Sequence, residues 1–176
     1  MESFKKIWNG ITTVIVILVV ILAILLAGVR LFGLQVFTVL SGSMEPTYHV
    51  GSLIYVKKTD PAEIRIGDPI TFVLNEKLVV ATHRVVGIDV DEEGVIRFHT
   101  KGDANESEDG GTVHQGNLLG KPVFTIPYLG YVANFMQNPP GTYITIAAGA
   151  LLVLLMFLPE LIGAFTEDDK EKKETE

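Results

Sequence analysis

The chain of 176 residues contains no cysteine, which excludes disulfides, a catalytic thiolate and a cysteine-ligated zinc site. Basic residues are also in the minority, since the formal net charge is −7. No basic stretch alternates with aromatic residues, so nucleic acid is not expected as a partner. No spacing of histidines and carboxylates resembles a metal site, and we therefore expect neither a metal nor another cofactor.

Apolar residues, by contrast, make up 48% of the chain and are concentrated towards its two ends. Residues 7–29 form a run of 23 residues without a charge, which as a helix would span roughly 35 Å, enough to cross a bilayer. The alternative is a cleaved signal peptide, but the run is longer than usual and no clear small-x-small site ends it. We expect a retained signal anchor.

A second uncharged run covers residues 141–158, and its 18 residues are near the lower limit for a membrane span. The alternative is a buried core helix. A charged tail follows the run, which favours a span. The last eleven residues carry six acids and three lysines, and this pattern predicts a solvated, disordered tail.

Lysines flank both apolar runs on the sides that face away from the middle of the chain. They are Lys5, Lys6, Lys170, Lys172 and Lys173. By the positive-inside rule this distribution predicts cytoplasmic termini, a multi-pass protein of the cell membrane and a middle region outside the cytoplasm.

Four segments follow from this pattern. Residues 1–30 are expected to hold the cytoplasmic N-terminus and the first transmembrane helix, and residues 31–140 an extracytoplasmic domain. Residues 141–165 are expected to form the second transmembrane helix, and residues 166–176 the charged cytoplasmic tail.

The middle region has the composition of a β domain. Short runs rich in β-branched and aromatic residues are separated by turn residues at 67–68, 75–76 and 91–94 and by a longer stretch at 102–117. These runs are 53–58, 69–74, 78–86, 95–101 and 120–126. The sequence therefore predicts a mostly β protein, with a compact antiparallel β domain flanked by two transmembrane helices.

Three kinds of side chain in this region form a chemically complete set. Ser43 lies in a Ser-Gly-Ser-Met stretch after the first apolar run, His83 lies in a predicted strand, and Asp103 and Asp109 lie in KGDANESEDGG. A serine hydroxyl needs a base to become a nucleophile, and imidazole suits that task. A carboxylate on the other ring nitrogen would select the productive tautomer.

The residues alone leave the assignment open. Ser41 and Ser43 are equally typical of a turn, a histidine in a strand is often a core residue, and an aspartate after glycine is common in turns. Rival bases are present at His49, His99 and His114. Any chain of this length contains some serine, histidine and aspartate, so spacing does not decide between them.

A series of motifs narrows the choice. SGSMEPTY, GSLIYVKK, IGDPITF, THRVVGI, TKGDANE and GKPVFTIPYLGY follow one another in residues 37–131. In order and spacing they resemble the type I signal peptidases, a family of membrane-bound enzymes with a mostly β catalytic domain. Bacterial members usually have a lysine just before the RVVG segment, where this chain has His83. The chain thus resembles the archaeal and endoplasmic-reticulum branch, a form also found in a few Gram-positive sporulating bacteria.

The resemblance implies roles for the candidate residues. Ser43 matches the nucleophile and His83 the general base, while Asp103 and Asp109 match the two acidic positions of this branch. Which of the two aspartates orients His83 stays open. Ser41 matches the hydroxyl residue that helps to form the oxyanion hole with the backbone N–H of Ser43.

The resemblance also implies a substrate and partners. The family removes signal peptides from exported preproteins, cutting after a small residue at the outer membrane surface. Expected partners are therefore signal peptides, the lipid bilayer and, as a further candidate, the protein-export translocon. Met44 is a candidate for lining a shallow substrate pocket. Asn105 begins a formal glycosylation sequon, which we interpret as coincidence because a sugar there would obstruct the site.

Two other functions are alternatives to this one. The β domain of a non-catalytic membrane protein would bind exported chains or translocon components without cutting them. A self-cleaving or regulatory serine peptidase is disfavoured, because such enzymes usually have a Ser–Lys dyad and lack two spans.

Overall fold

The structure, a computed structural model, describes residues 2–74 and 79–174, without the side chains of residues 2, 4 and 161–174. The predicted turn at 75–76 and the first residue of the predicted run 78–86 therefore lie outside the described part of the chain. The helices and strands in chain order are α1 (Glu2–Leu26), β1 (Leu34–Thr38), β2 (Leu53–Lys57), β3 (Pro69–Val73), β4 (Val80–Val90), β5 (Ile96–Lys101), β6 (Thr112–His114), β7 (Leu118–Ile126), α2 (Leu129–Gln137) and α3 (Gly141–Glu174).

Two structural units divide the chain. Leu26–Asn134 forms one unit, and the described residues of 1–25 and 135–176 form the other. The first unit contains one curled sheet of seven strands in the order β1-β2-β7-β3-β4-β5-β6, and all neighbouring strands are antiparallel. The predicted fold class, a mostly antiparallel β domain with two long apolar helices, is confirmed.

All five predicted runs contain a strand, but two short strands and one short α-helix were not predicted. They are β1, β6 and α2. The first follows directly on a long apolar segment, which hides the alternation typical of a strand. The second has only three residues within a polar loop, too few to show a pattern. Strand β4 also extends to Val90, where it pairs with Ile96 of β5.

Two apolar clusters hold the sheet together. One lies on β3, β4, β5 and β6 and includes Ile70, Phe72, Val85 and Phe98, all at most 2% exposed. The other combines Leu53 and Tyr55 of β2 with Ala133 of α2. The first cluster lies beside the candidate site and keeps its strands fixed, because close-packed side chains resist displacement.

Strand β7 joins the two parts of the sheet, since it pairs with β2 along one stretch and with β3 along another. Gly120 pairs with Thr71 of β3 and directly precedes the stretch that pairs with β2. Its φ is +147°, and a Cβ atom there would lie 2.0 Å from the Lys57 carbonyl oxygen. Only glycine allows this conformation and this approach of two backbones.

The other unit contains the two apolar helices. The 22 residues of Lys5–Leu26 contain a stretch of 18 with a mean hydropathy of 2.8, and the 20 residues of Gly141–Glu160 contain one with a mean hydropathy of 2.2. Both are long and apolar enough to cross a membrane by length and composition. Helix α3 continues past Pro159 to Glu174, so the prediction that the tail is disordered is wrong for residues 166–174. Glutamate and lysine, which dominate the tail, are good helix formers.

Pro159 leaves a gap in the hydrogen bonding of α3 that α1 fills. In a helix the Leu155 carbonyl would accept from the N–H of residue 159, but proline has no N–H. The indole Nε1–H of Trp8 donates to the Leu155 carbonyl oxygen at 3.0 Å instead. This bond places the beginning of α1 beside the part of α3 that precedes Pro159.

Candidate active site

Ser43 lies on a loop that leaves the sheet between β1 and β2. Val39 N–H donates to the Ser52 carbonyl at 2.9 Å, and Gly51 N–H donates to the Val39 carbonyl at 2.9 Å, so the loop is closed at its base. The Met44 side chain is 3% exposed and anchors the loop in the domain. Ser43 itself is half-buried. A loop held at its base and by a buried neighbour positions a hydroxyl better than a free loop would.

His83 lies on β4, opposite Ile70 of β3. Its ring makes an edge contact with the buried Phe72, with ring centroids 6.3 Å apart, and its side chain is 15% exposed. The ring Nε2 lies 3.1 Å from Ser43 Oγ, within reach for proton transfer. The strand and the aromatic neighbour therefore hold the imidazole beside the hydroxyl.

Asp109 occupies the other side of the same imidazole. Its Oδ2 lies 2.6 Å from His83 Nδ1 and accepts a second bond from the Thr100 hydroxyl at 2.6 Å. Asp109 N–H donates to the Thr100 carbonyl at 2.9 Å. Thr100 is 1% exposed and lies on β5, opposite Val85 of β4. Both the backbone and the carboxylate of Asp109 are thus fixed to the sheet.

Asp103 has a different partner, the guanidinium of Arg84. Arg84 Nε donates to Oδ1 at 2.8 Å and Nη2 donates to Oδ2 at 2.6 Å, a two-pronged ion pair. The Thr47 hydroxyl donates to the same Oδ2 at 2.5 Å. The bonds from Arg84, followed by the bond from Thr47, lower the pKa of the Asp103 carboxyl below its ordinary value. Asp103 is therefore ionised at neutral pH and engaged with Arg84.

Ser41, the expected oxyanion-hole residue, is exposed on the same loop. Its Oγ lies 3.3 Å from Ser43 Oγ. Met44 is nearly fully buried, so its role in lining a substrate pocket stays a prediction. The structure thus brings Ser41, Ser43, His83 and Asp109 together. Asp103 lies nearby but is paired with Arg84, the neighbour of His83 in the chain.

The three rival histidines have other contacts. His49 pairs with Glu45 four residues earlier on the exposed part of the Ser43 loop. His99 Nε2 lies 2.8 Å from Asp89 Oδ2. His114 accepts a bond from Gly116 N–H at 3.0 Å. Among the described histidines, His83 is the one whose ring lies within hydrogen-bond distance of a serine hydroxyl.

Two residues of the site were missed by sequence reasoning. Arg84 had a signal, because an arginine directly after a candidate base is a candidate partner for the nearby aspartates. Thr100 had none, since its contact with Asp109 depends on how the 102–109 loop returns to β5. Local sequence patterns do not encode such a return.

This arrangement can move a proton from a hydroxyl to an imidazole while a carboxylate stabilises the imidazolium. These steps activate a serine for attack on a carbonyl carbon.

Comparison with known proteins agrees with this chemistry. The family profile described as signal peptidase, peptidase S26, matches residues 11–93. The chain is 33% identical over 128 residues to the signal peptidase complex catalytic subunit SEC11C of Homo sapiens, covering 68% of this chain and 67% of that protein. The corresponding subunit of Rattus norvegicus gives the same values.

A bacterial protein is also similar. Over 88 residues the chain is 44% identical to signal peptidase I W of Bacillus subtilis (strain 168), covering 49% of this chain and 45% of that protein. These matches confirm the resemblance to the archaeal and endoplasmic-reticulum branch of type I signal peptidases. The chain belongs to the signal peptidase family, peptidase S26, and is a serine-type hydrolase.

Proposed function

We propose that this protein is a membrane-bound serine endopeptidase that removes N-terminal signal peptides from exported preproteins, cutting after a small residue at the outer membrane surface. The observation that carries the proposal is the line of contacts from Ser43 Oγ through the His83 ring to Asp109 Oδ2, at 3.1 Å and 2.6 Å. Family membership supplies the class of substrate.

Acylation begins with attack of Ser43 Oγ on the scissile carbonyl carbon. The Oγ–C bond forms while the hydroxyl proton passes to His83 Nε2, and the Nδ1–H donates to Asp109, whose negative charge stabilises the imidazolium. The electron pair of the carbonyl moves to its oxygen. The Ser41 hydroxyl and the Ser43 backbone N–H then stabilise this oxyanion, and each such donor is worth roughly 3 kcal/mol in comparable enzymes.

Collapse of the tetrahedral intermediate breaks the C–N bond. The proton on His83 Nε2 passes to the leaving amine, which is the new N-terminus of the mature protein, and the signal peptide stays on Ser43 as an ester. A water molecule then gives a proton to Nε2 and attacks the ester carbon. Breakage of the Oγ–C bond and return of the proton to Ser43 Oγ release the signal peptide.

The two apolar helices support a multi-pass membrane location with both termini in the cytoplasm. The bond from Trp8 to the Leu155 carbonyl brings the beginning of α1 beside the later part of the apolar segment of α3. This antiparallel pairing agrees with the positive-inside rule, since it puts the lysines on one side of the membrane, namely Lys5, Lys6, Lys170, Lys172 and Lys173. The β domain is then extracytoplasmic, on the side of the membrane where the signal peptide of an exported preprotein is cut.

The proposed partners are the signal peptides themselves, the lipid bilayer and the export translocon. The names of the mammalian relatives describe them as catalytic subunits of a signal peptidase complex. A role within a larger assembly is therefore part of the proposal for this chain.

A matched pair of histidine variants tests the catalytic assignment. His83 and His99 each pair with an aspartate. Among the described histidines, only His83 also lies beside a serine hydroxyl. In liposomes, His83→Ala is expected to slow preprotein cleavage by at least about 10⁴-fold, whereas His99→Ala cleaves at the wild-type rate. Equal effects of the two substitutions, or undiminished cleavage by His83→Ala, would contradict the assignment.

A further inference from the structure

We propose that Arg84 and Asp103 form an ion-paired clamp that positions the Ser43 loop through Thr47, so that Asp103 is a positioning residue and Asp109 alone orients His83. This inference rests on the proposed function of Ser43. It assigns a role to Arg84 and separates the roles of the two aspartates.

The clamp begins at a tight turn that touches the backbone of the proposed nucleophile. Ala104 N–H donates to the Ser43 carbonyl at 2.9 Å. Gly102 allows this approach, since a Cβ atom there would lie 2.6 Å from the same carbonyl oxygen. The 102–104 turn therefore contacts the Ser43 residue directly, on its carbonyl side.

The Asp103 carboxylate adds a second point of attachment to the same loop. It accepts from the Thr47 hydroxyl at 2.5 Å, four residues beyond Ser43. The loop is therefore held at Ser43 and at Thr47 by one turn. Two attachments restrict rotation of a loop as well as translation, and the orientation of a nucleophile depends on both.

Arg84 fixes this turn to the sheet. Besides its two bonds to Asp103, it donates from Nη1 to the Gly67 carbonyl at 2.7 Å, while Nη2 lies 3.4 Å from the Thr47 Oγ1. Gly67 N–H in turn donates to the Val85 carbonyl at 2.8 Å. A planar guanidinium with five donors can serve these three partners at once, which a lysine ammonium cannot do in the same geometry.

The position of Arg84 links the clamp to the proposed base. Arg84 follows His83 directly on β4, and successive side chains of a strand point to opposite faces. One residue of the strand thus contacts the Ser43 hydroxyl while the next holds the loop that carries it. The distance between Ser43 Oγ and His83 Nε2 is set by two adjacent residues of a single rigid strand.

The test measures Ser43 reactivity and peptide cleavage separately on the full-length protein in detergent micelles. A fluorophosphonate probe reports the labelling rate of Ser43 without any peptide substrate, and a preprotein gives kcat and KM per labelled site. Wild-type protein that labels at Ser43 but cleaves no preprotein would overturn the proposed function and still allow the clamp to be tested by labelling.

For Arg84→Met and Asp103→Asn we expect labelling and kcat to fall about 10- to 100-fold with little change in KM, because the nucleophile is misplaced. Asp109→Asn is expected to be more severe, at about 10⁴-fold. The labelling rate and kcat of Arg84→Lys should lie between those of wild type and Arg84→Met. If Arg84→Met does not fold, Arg84→Lys is used in its place. The double variant with Arg84→Met and Asp103→Asn should be no worse than either single one.

Conservative variants separate positioning from a general loss of stability. Thr47→Val should lower labelling about tenfold, and Thr47→Ser, which keeps the hydroxyl, should restore it. Asp89→Asn is the matched control, because Asp89 pairs with His99 at 2.8 Å and lies six residues beyond His83 on β4. It should leave the labelling rate per folded protein unchanged.

Three outcomes would overturn the clamp. The first is a wild-type labelling rate in both Arg84→Lys and Arg84→Met. The second is an equal loss of labelling rate in Thr47→Val and Thr47→Ser. The third is a loss of labelling rate and kcat in Asp103→Asn as large as that in Asp109→Asn, while Arg84→Met stays active. The last result would make Asp103 the residue that orients His83.

Discussion

Two aspartates of the candidate site, six positions apart in one loop, have different surroundings. Asp109 contacts an imidazole and a buried threonine hydroxyl, whereas Asp103 contacts a guanidinium and an exposed threonine hydroxyl. A carboxylate beside a histidine stabilises the imidazolium formed during catalysis. A carboxylate already paired with an arginine is better suited to hold a structure in place.

The lowered pKa of Asp103 makes its contribution to stability depend on pH. Because the folded-state pKa lies below the unfolded one, the contribution is complete at neutral pH and is lost as the pH falls below about 4. Asp103→Asn should therefore lower the melting temperature in detergent at pH 7, and the difference from wild type should shrink towards pH 2. A difference of equal size at both values would show that the charge of Asp103 does not stabilise the fold.

At the scale of elements, the pairing of α1 with α3 depends on a hydrogen bond that proline makes available. Because Pro159 has no N–H, the Leu155 carbonyl lacks its usual donor within the helix and accepts a hydrogen bond from Trp8 instead. A polar bond between helices in an apolar medium is worth roughly 1 kcal/mol. The effect of Trp8→Phe on stability should therefore depend on whether Pro159 is present.

We expect Trp8→Phe to destabilise the helix pair by about 1 kcal/mol in the presence of Pro159. With Pro159→Ala the helix regains its own N–H donor for the Leu155 carbonyl, so adding Trp8→Phe should cost less. Thermal unfolding of the four proteins in detergent measures this coupling. Identical losses in the two backgrounds would mean that the bond does not contribute.

The whole molecule combines an antiparallel β domain with two apolar helices, and the absence of cysteine offers a direct test of its proposed topology. Single cysteines can be introduced at exposed positions in the N-terminal segment and in the turn between β4 and β5, as Ser3→Cys and Glu92→Cys. In intact cells a membrane-impermeant maleimide should label Glu92→Cys, and Ser3→Cys only after permeabilisation. Labelling of both in intact cells would contradict cytoplasmic termini.

Much of this architecture was predictable because its signals are local. The apolar runs, the β-branched segments and the motifs around Ser43 and His83 are each readable from a few neighbouring residues. The aspartate that contacts His83 was not predictable, because Asp103 and Asp109 lie in the same loop. Which of them reaches His83 depends on the path by which this loop returns to Thr100. Strand β1 was not predicted because the apolar segment before it hides the alternation typical of a strand, and its pairing with β2 is visible only in the structure.

Preprotein cleavage by wild-type protein and Ser43→Ala in liposomes tests the central claim most directly, with the cut located by mass spectrometry. The account predicts that wild-type protein releases the signal peptide after a small residue and that Ser43→Ala, with the same melting temperature, releases none. Release by Ser43→Ala at the wild-type rate, or no release by wild-type protein whose Ser43 reacts with a fluorophosphonate, would contradict it.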